Sequence, residues 1–478
     1  MSEPRIIPRS EHTISRSGIS PNALRVLYRL RDAGFQSFLV GGCVRDLLIG
    51  IEPKDFDVAT DALPEQVKKL FRNCRLVGRR FRLAHVFFGR ETIEVATFRA
   101  ASAPSQAEEP VPDADPEVLE AHAEAGDLED TDTLEIMEEP LDAASDTERL
   151  LDQHGRILRD NVYGNIGDDV WRRDFTANAL YYNIADFALW DYCGGFEDIS
   201  ARTLKLIGDP ITRYREDPVR MLRAARFEAK LGFQLDEPTA EPLAALSELL
   251  TAVPPARLFD ETLKLFLTGH GQRSLTVLRQ RELFGALLPE VDGYLTAHPN
   301  SLVEKLLNQG LANTDARVLA DKPVTPTFLF ALLLYGPIAK AIESSPPEHW
   351  HELATILDAC DRTIRKAQTH ISLPRRFALG VREMFGLQPR LEHPRGRRAL
   401  RVLEHPRFRA AFDLLVLRAE HGLASKDIAD WWTRLQEVSA EEREQMVEDV
   451  SQTGPPKGPA RRGGRRRRSR RRRPANPA

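Results

Sequence analysis

Residues 38–60 read FLVGGCVRDLLIGIEPKDFDVAT, and the fold turns on them. Ser37–Val40 is a short apolar run that predicts a strand. Gly41-Gly42 breaks it and opens an apparent helix through Arg45 and Asp46. Glycines at such a turn let a backbone approach a phosphate closely, and the following helix offers free N–H groups. A tight strand-to-helix turn needs the same two residues for purely conformational reasons. Arg45 supplies a guanidinium suited to bidentate phosphate binding. The second half, Asp55-Phe56-Asp57, sits at the expected start of a strand running to Thr60. Alternate strand residues face the same side, so the two carboxylates project together, roughly 6.6–6.8 Å apart along the chain. Such a pair holds hard divalent cations, Mg²⁺ or Mn²⁺ rather than zinc. Most D-x-D pairs are exposed turn or strand-edge residues, so the pair acquires meaning only from its surroundings.

Working outward, Asn22–Arg31 carries Leu24, Leu27 and Leu30 at helical spacing and stops at Gly34. Pro64 opens a helix through Phe71. His85–Phe88 and Thr92–Phe98 are β-rich, and Glu94 alternates against Ile93 and Val95; a lone strand Glu is usually a solvated face residue, and only beside the D-x-D does it become a candidate third carboxylate. Downstream of Asp217 the pattern is helical, with candidates at 254–267, 275–288, 302–311, 328–342 and 410–421. There is no G-x-x-x-x-G-K-[ST] and no G-x-G-x-x-G, which argues against a P-loop NTPase and a dinucleotide-binding fold. The fold class is therefore α+β: a mixed α/β head followed by an all-α region.

The 478 residues carry a net charge of −4, with 42% apolar and 29% charged residues, as in ordinary multi-domain globular chains. That balance hides a segregation. Between 104 and 148 there are seventeen Asp/Glu and no Lys/Arg, whereas 461–478 holds ten Arg and no acid. Single-sign blocks repel themselves, so the acidic insert and the basic tail are both expected to be disordered. The insert is read as a solvated loop, with an intramolecular decoy for basic surface as the alternative. The tail, lacking aromatics, predicts sequence-independent binding to nucleic-acid phosphates. Residues 375–409 add ten Arg against three Glu; Arg375, Arg376, Arg397 and Arg398 are the nominated RNA contacts. Four scattered cysteines with no C-x-x-C argue against a disulfide framework and a cysteine zinc site. The longest apolar run, Phe328–Tyr335, is too short to span a membrane. With no secretory h-region visible, a cytoplasmic location is expected.

Three strings, FLVGGCVRDLLIG…KDFDVAT, RRDFTANALYY (172–182) and REDPVRMLRAARFEAKLGF (215–233), occur in that order and together resemble the nucleotidyltransferases that extend RNA 3′ ends. These comprise the bacterial poly(A) polymerases and the CCA-adding tRNA nucleotidyltransferases. The resemblance covers about 37–270. It implies metal binding by Asp55, Asp57 and Glu94, a nucleotide-phosphate motif at Gly41, Gly42 and Arg45, and an active-site role for Asp174. From the residues alone, Asp174 serves equally as N-cap of a helix through FTANALYY, while Arg172 and Arg173 are strong phosphate or ribose partners. The resemblance further implies that Glu216, Asp217 and Arg220 select the incoming base as a protein template. Asp217-Pro218 also suits the start of a helix, and Gly232 its end.

Between 76 and 86, LVGRRFRLAHV resembles the element marking bacterial poly(A) polymerases, with Arg79, Arg80 and Arg82 as a basic edge near the catalytic strands. The implied activity is template-independent transfer of AMP from ATP to RNA 3′ ends, using Mg²⁺ or Mn²⁺ and promoting RNA decay. A CCA-adding enzyme is the alternative and a non-catalytic RNA-binding scaffold the distant one. The expected organisation is a catalytic head over 20–205 with the insert at 104–150, a neck over 206–275 for nucleotide selection and RNA binding, a helical Arg-rich body over 276–455, and a tail over 456–478. The partners implied are RNA 3′ ends and RNA-decay machinery, with the chain a monomer.

Overall fold

The computed structural model describes residues 3–78, 82–100, 150–151, 157–159 and 163–453, with backbone alone at 150–151, 157–159 and 451–453. Arg79, Arg80, the bulk of the acidic insert and the Arg-rich tail lie outside the described residues. The chain divides into two compact units. One comprises 1–293 with 311–326 and 365–373; the other comprises 294–310, 327–364 and the chain from 374 onward.

The first unit is organised by a mixed sheet. Its strands are β1 (Arg5–Ile7), β2 (Ser37–Val40), β3 (Asp57–Thr60), β4 (Cys74–Val77), β5 (Leu83–Phe88), β6 (Glu91–Thr97), β7 (Leu180–Asn183) and β8 (Leu189–Asp191). Their spatial order is β1-β8-β7-β2-β3-β6-β5-β4. Pairing is antiparallel except between β3 and β6, which run parallel. Helix α1 (Pro21–Asp32) starts where Ser20 accepts the Asn22 N–H and Pro21 fills the first turn. It buries Ala23, Val26, Leu27 and Leu30, the i, i+3, i+4, i+7 stripe that packs it on the sheet. Helices α2 (Gly42–Leu48) and α3 (Pro64–Leu70) follow β2 and β3. Phe38, Val40, Ala59, Phe98, Val170 and Tyr181 form the core beneath the site. The neck contributes α4 (Pro210–Glu216), α5 (Val219–Leu231), α6 (Pro255–Phe266) and α7 (Gly271–Gln280). Gly232 ends α5 at φ +68°, a conformation glycine adopts without steric cost.

Several local expectations are corrected. FTANALYY is not a helix: Thr176–Asn178 makes a 3₁₀ turn and Leu180–Asn183 becomes β7. A continuous apolar run does not distinguish helix from strand, and here pairing with both β2 and β8 decides. The helix expected at 275–288 breaks after Gln280, with Glu282 at φ +58°, and resumes at Phe284–Leu287. The one expected at 328–342 is two helices, Pro326–Leu333 and Tyr335–Glu343, bent by 48°. Pro337 has no N–H to return to the Leu333 carbonyl, so the helical ladder is interrupted there. Strand β3 begins at Asp57, and Asp55 precedes it.

The second unit is helical among its described residues. Helices α8 (Arg375–Glu392), α9 (Arg398–Leu403), α10 (Phe408–Glu420) and α11 (Lys426–Glu437) pack around Trp432, which is fully buried and donates its indole N–H to the Leu391 carbonyl at 2.8 Å. Buried Gln388 donates to the Ala411 carbonyl at 2.9 Å, joining α8 to α10. Among the described residues no single helix is long and apolar enough to cross a membrane, and the bent apolar pair is largely buried.

Candidate active site

The site grows from one row across the sheet. Val40 on β2 pairs with Asp57 on β3, and Asp57 pairs with Glu94 on β6. The chain leaves β2 through Gly41, at φ +79° and ψ −138°, a region that side chains with a Cβ rarely enter. A Cβ at Gly41 would lie 3.6 Å from Asp57 Oδ2 and 3.7 Å from Arg173 Nη1. The turn therefore brings backbone, carboxylate and guanidinium to one point. Arg173 is held there by bonds from Nε to the Tyr181 hydroxyl (2.9 Å) and from Nη2 to Asp169 (3.1 Å).

Asp57 is half-buried, and its carboxyl is pushed up to about 6. Burial is the largest cause, repulsion from Glu94 the next; Arg173 opposes them and Asp55 adds to them. Asp55 and Glu94 are exposed, and Glu94 Oε1 lies 3.6 Å from His85 Nε2. The oxygens of the three carboxylates are not all within 4.8 Å of one another. They are closer to a shared edge than to a finished coordination shell. Crowded, partly desolvated carboxylates with hard oxygen donors nevertheless suit a divalent cation, which would relieve the repulsion that raises Asp57. Asp55 also opens onto a cavity of about 1130 Å³ that includes Lys54, Arg90, Ser15 and Ser20 in its wall. Nothing in the sequence pattern had pointed to it.

Arg45 departs from its expected role. It is 2% exposed, with Nε and Nη2 bonded to Asp46 (2.8 and 2.6 Å) and Nη1 to Asn178 Oδ1 (2.5 Å). All three guanidinium nitrogens are occupied, so Arg45 braces the turn instead of presenting a free phosphate ligand. The brace continues. Asn178 Nδ2 lies 3.4 Å from Asp174 Oδ1, and Asp174 Oδ2 accepts two bonds from Arg223 on α5. Asp174 is thus no helix N-cap; its Oδ1 takes the Phe175 N–H at 2.8 Å, ahead of a short turn and a strand. Burial, the largest single cause, raises its pKa, but the charge and hydrogen bonds of Arg223, with those of the Phe175 N–H and Asn178, together hold the carboxyl below its ordinary value. Asn178 and Arg223 are the positioning residues that sequence reasoning missed. Arg223 follows Arg220 by three residues on one helix face, a spacing that by itself does not single it out, and Asn178 gave no signal.

Of the neck residues, Glu216 and Arg220 meet, and Asp217 bonds elsewhere. Glu216 Oε2 accepts from Arg213 Nη1 and Arg220 Nη1, both at 3.0 Å. Arg213 also donates to the Arg173 carbonyl at 2.8 Å. Glu216 Oε1 and Arg220 Nη2 have no bond among the described residues, leaving an acceptor and a donor side by side. Asp217 is 8% exposed: Oδ1 takes the Val219 N–H at 3.2 Å and Oδ2 takes Arg257 at 2.7 Å. Arg172 is half-exposed and its side chain makes no polar contact among the described residues. Arg82 is not an open basic edge, because it pairs with Glu65 at 2.7 Å. Arg375 and Arg376 are exposed in the first turn of α8, Arg397 lies 3.9 Å from Glu448, and Arg398 is exposed on α9.

The proteins that the chain matches make it a nucleotidyltransferase. Residues 37–205 match the model of the poly A polymerase head domain. Residues 232–295 match the probable RNA and SrmB-binding site of polymerase A, and 348–474 its arginine-rich C-terminus. A poly(A) polymerase I of Escherichia coli O6:H1 (strain CFT073) is 43% identical over 462 residues, 96% of this chain and 91% of its own. The chain belongs to the poly(A) polymerase family. A CCA-adding enzyme of Lactobacillus helveticus is 30% identical over 261 residues, 55% of this chain and 53% of its own. The solved structure of a tRNA-processing enzyme shares the fold, with TM-score 0.54, 19% identity, and coverage of 89% of this chain and 98% of that one.

Proposed function

We propose that this polymerase adds AMP from ATP to RNA 3′ ends without a template and releases pyrophosphate. The observation that carries the reading is Asp57, set between the Gly41 turn, Arg173 and Glu94 and raised to about 6 by burial and its acidic neighbours. Asp55, Asp57 and Glu94 would hold Mg²⁺ or Mn²⁺, which supplies charge neutralisation at the attacking and leaving oxygens of an in-line displacement. The N–H groups of the Gly41-Gly42 turn, with Arg173 and Arg172, position the triphosphate. Arg45 keeps that turn in place, and Asp174 ties it to the neck. Glu216 and Arg220 read the base, their open acceptor and donor matching the N6–H₂ donor and N1 acceptor of adenine, while Asp217, its oxygens taken by the Val219 N–H and Arg257, holds the helix start that carries Arg220.

The domain scheme follows the chemistry, with the catalytic head extended from the expected 20–205 back to β1, whose Arg5–Ile7 pairs with β8; the neck runs over 206–275, the helical body over 276–455 and the basic tail over 456–478. Body and tail hold RNA by phosphate contacts, the chain acts as a cytoplasmic monomer, and RNA-decay machinery is its partner. The deciding experiment incubates purified protein with Mg²⁺, an unstructured RNA and each nucleoside triphosphate separately. Long tails with ATP alone support this reading; CTP incorporation confined to tRNA supports a CCA-adding enzyme. Deleting 461–478 should weaken RNA binding and flatten its salt dependence.

A further inference from the structure

We infer that the second unit contains a pocket for one unpaired RNA nucleotide, separate from the carboxylate site. It is a cavity of about 540 Å³ formed where α8 ends and α9 begins, within the roughly 300–1,000 Å³ typical of small-ligand pockets. Arg390, Arg395, Arg398 and Arg401 line it. All four are exposed, and none has a side-chain partner among the described residues. Elsewhere in this unit Arg382, Arg407, Arg409 and Arg418 each lie against a carboxylate, at 3.0, 3.3, 3.1 and 2.5 Å. Among the described residues of this unit Arg375 and Arg434 also lack a side-chain partner, but only at this cavity do four such guanidiniums gather, and no carboxylate lines it. Four like charges focused in a concave site select an anion.

His351, Glu392 and His393 offer ligand atoms within 4.8 Å of one another, which would suit a divalent cation. Two facts weigh against that. Glu392 Oε1 is already held by Arg418 Nη1 at 2.5 Å, and the adjoining cavity carries four uncompensated positive charges. The anion wins. The size and lining then argue for a nucleotide over bare phosphate. Leu387, Ala399 and Val402 give the cavity an apolar wall. His351 and His393 stand edge to face at 6.2 Å and 81°, presenting imidazole faces on which a base can stack. A base buried in such a pocket must be splayed out of any helix, so the RNA is single-stranded.

This inference rests on the RNA-extending reading, and its test separates the two. A fluorescent oligoadenylate is titrated onto the full chain and onto three variants: Arg398→Ala with Arg401→Ala, Arg390→Ala with Arg395→Ala, and His393→Ala. The arginine pairs should each lose ~10-fold in affinity at low salt, and their log K against log[salt] slopes should fall by about 0.7 for each phosphate no longer neutralised. His393→Ala should lose several-fold with the slope unchanged, a readout that charge alone would not move. AMP and inorganic phosphate are run as competitors, and neither should displace the RNA. Wild-type affinity and slope in all three variants would overturn the pocket. So would displacement by AMP, which makes a free nucleotide the occupant, or stoichiometric Zn²⁺ binding that His351→Ala abolishes. Extension with ATP is followed in parallel on the wild type. Failure there sinks the functional reading, whereas normal extension and binding with indifferent variants sinks only the pocket.

Discussion

Asp174 Oδ2 lies 2.8 Å from Nε and 2.5 Å from Nη2 of Arg223, so one carboxylate oxygen from the segment before β7 fastens the neck helix α5. The other oxygen reaches Asn178, which in turn holds Arg45. A single polar chain, Asp46–Arg45–Asn178–Asp174–Arg223, thereby links the Gly41 turn to the helix that carries Arg220.

Breaking that chain at its last link should show in stability and in its pH dependence. Arg223→Ala leaves a largely buried carboxylate without its cation and should cost about 3 kcal/mol at neutral pH. Asp174 titrates below its ordinary value of 3.8 when folded, so its pairing stabilises the fold fully above that pH and is lost as pH falls below it. Urea unfolding of wild type and Asp174→Asn should therefore differ at neutral pH and converge as the pH falls below 3.8.

Arg45 separates a brace from a phosphate ligand. Arg45→Ala strands Asp46 and Asn178 in a buried site and should lower the urea midpoint by the equivalent of about 3 kcal/mol with no nucleotide present. A phosphate ligand would instead leave the midpoint unchanged and raise only the KM for ATP.

The two glycines should differ. At Gly41 there is room for a methyl group, but φ +79° is strained for alanine, so Gly41→Ala should cost about 1–2 kcal/mol and displace the turn from Asp57. At Gly42 a Cβ meets Arg45 Nη2 at 3.4 Å, an ordinary contact, and the residue sits in the first helical turn. Thermal melts should place Gly42→Ala within about 0.5 kcal/mol of wild type.

If Asp57 holds the cation as proposed, replacing it should abolish the response to cations. Mg²⁺ or Mn²⁺ should raise the Tm of wild type by a few degrees and leave Asp57→Asn unmoved. Asp55→Ala or Asp57→Ala should lower kcat by at least ~10³-fold while RNA affinity in a filter assay stays close to wild type.

Base choice should move with the neck. Arg220→Ala removes the open donor beside Glu216 and should reduce the ATP:CTP ratio of kcat/KM by ~10–100-fold. Loss of activity with an unchanged ratio would mean that Arg220 supports the neck without reading the base.

Much was legible before any coordinates. The strand–Gly-Gly–helix reading of 37–48 and the two β-rich runs around Glu94 rest on short-range pattern, because side-chain alternation and turn chemistry are local properties. The helix expected through FTANALYY failed for the same reason: its buried ALYY run suits either state, and its partners β2 and β8 are set by pairing that no local pattern encodes. Asp217 was read as a helix start, and its bond to the Val219 N–H agrees; its pairing with Arg257, forty residues on, had no local trace.

The sequence by itself determined the chemistry on offer: three acidic side chains, a glycine turn, a helix start at Asp217-Pro218 and an excess of arginine in the C-terminal half. Tertiary structure alone decided which of those charges are spent. Arg45, Asp174 and Arg82 are consumed in pairs, whereas Arg390, Arg395, Arg398 and Arg401 are left open around a cavity. A side chain's charge is fixed by its type, but whether that charge is neutralised depends on what packing brings within a few ångströms of it.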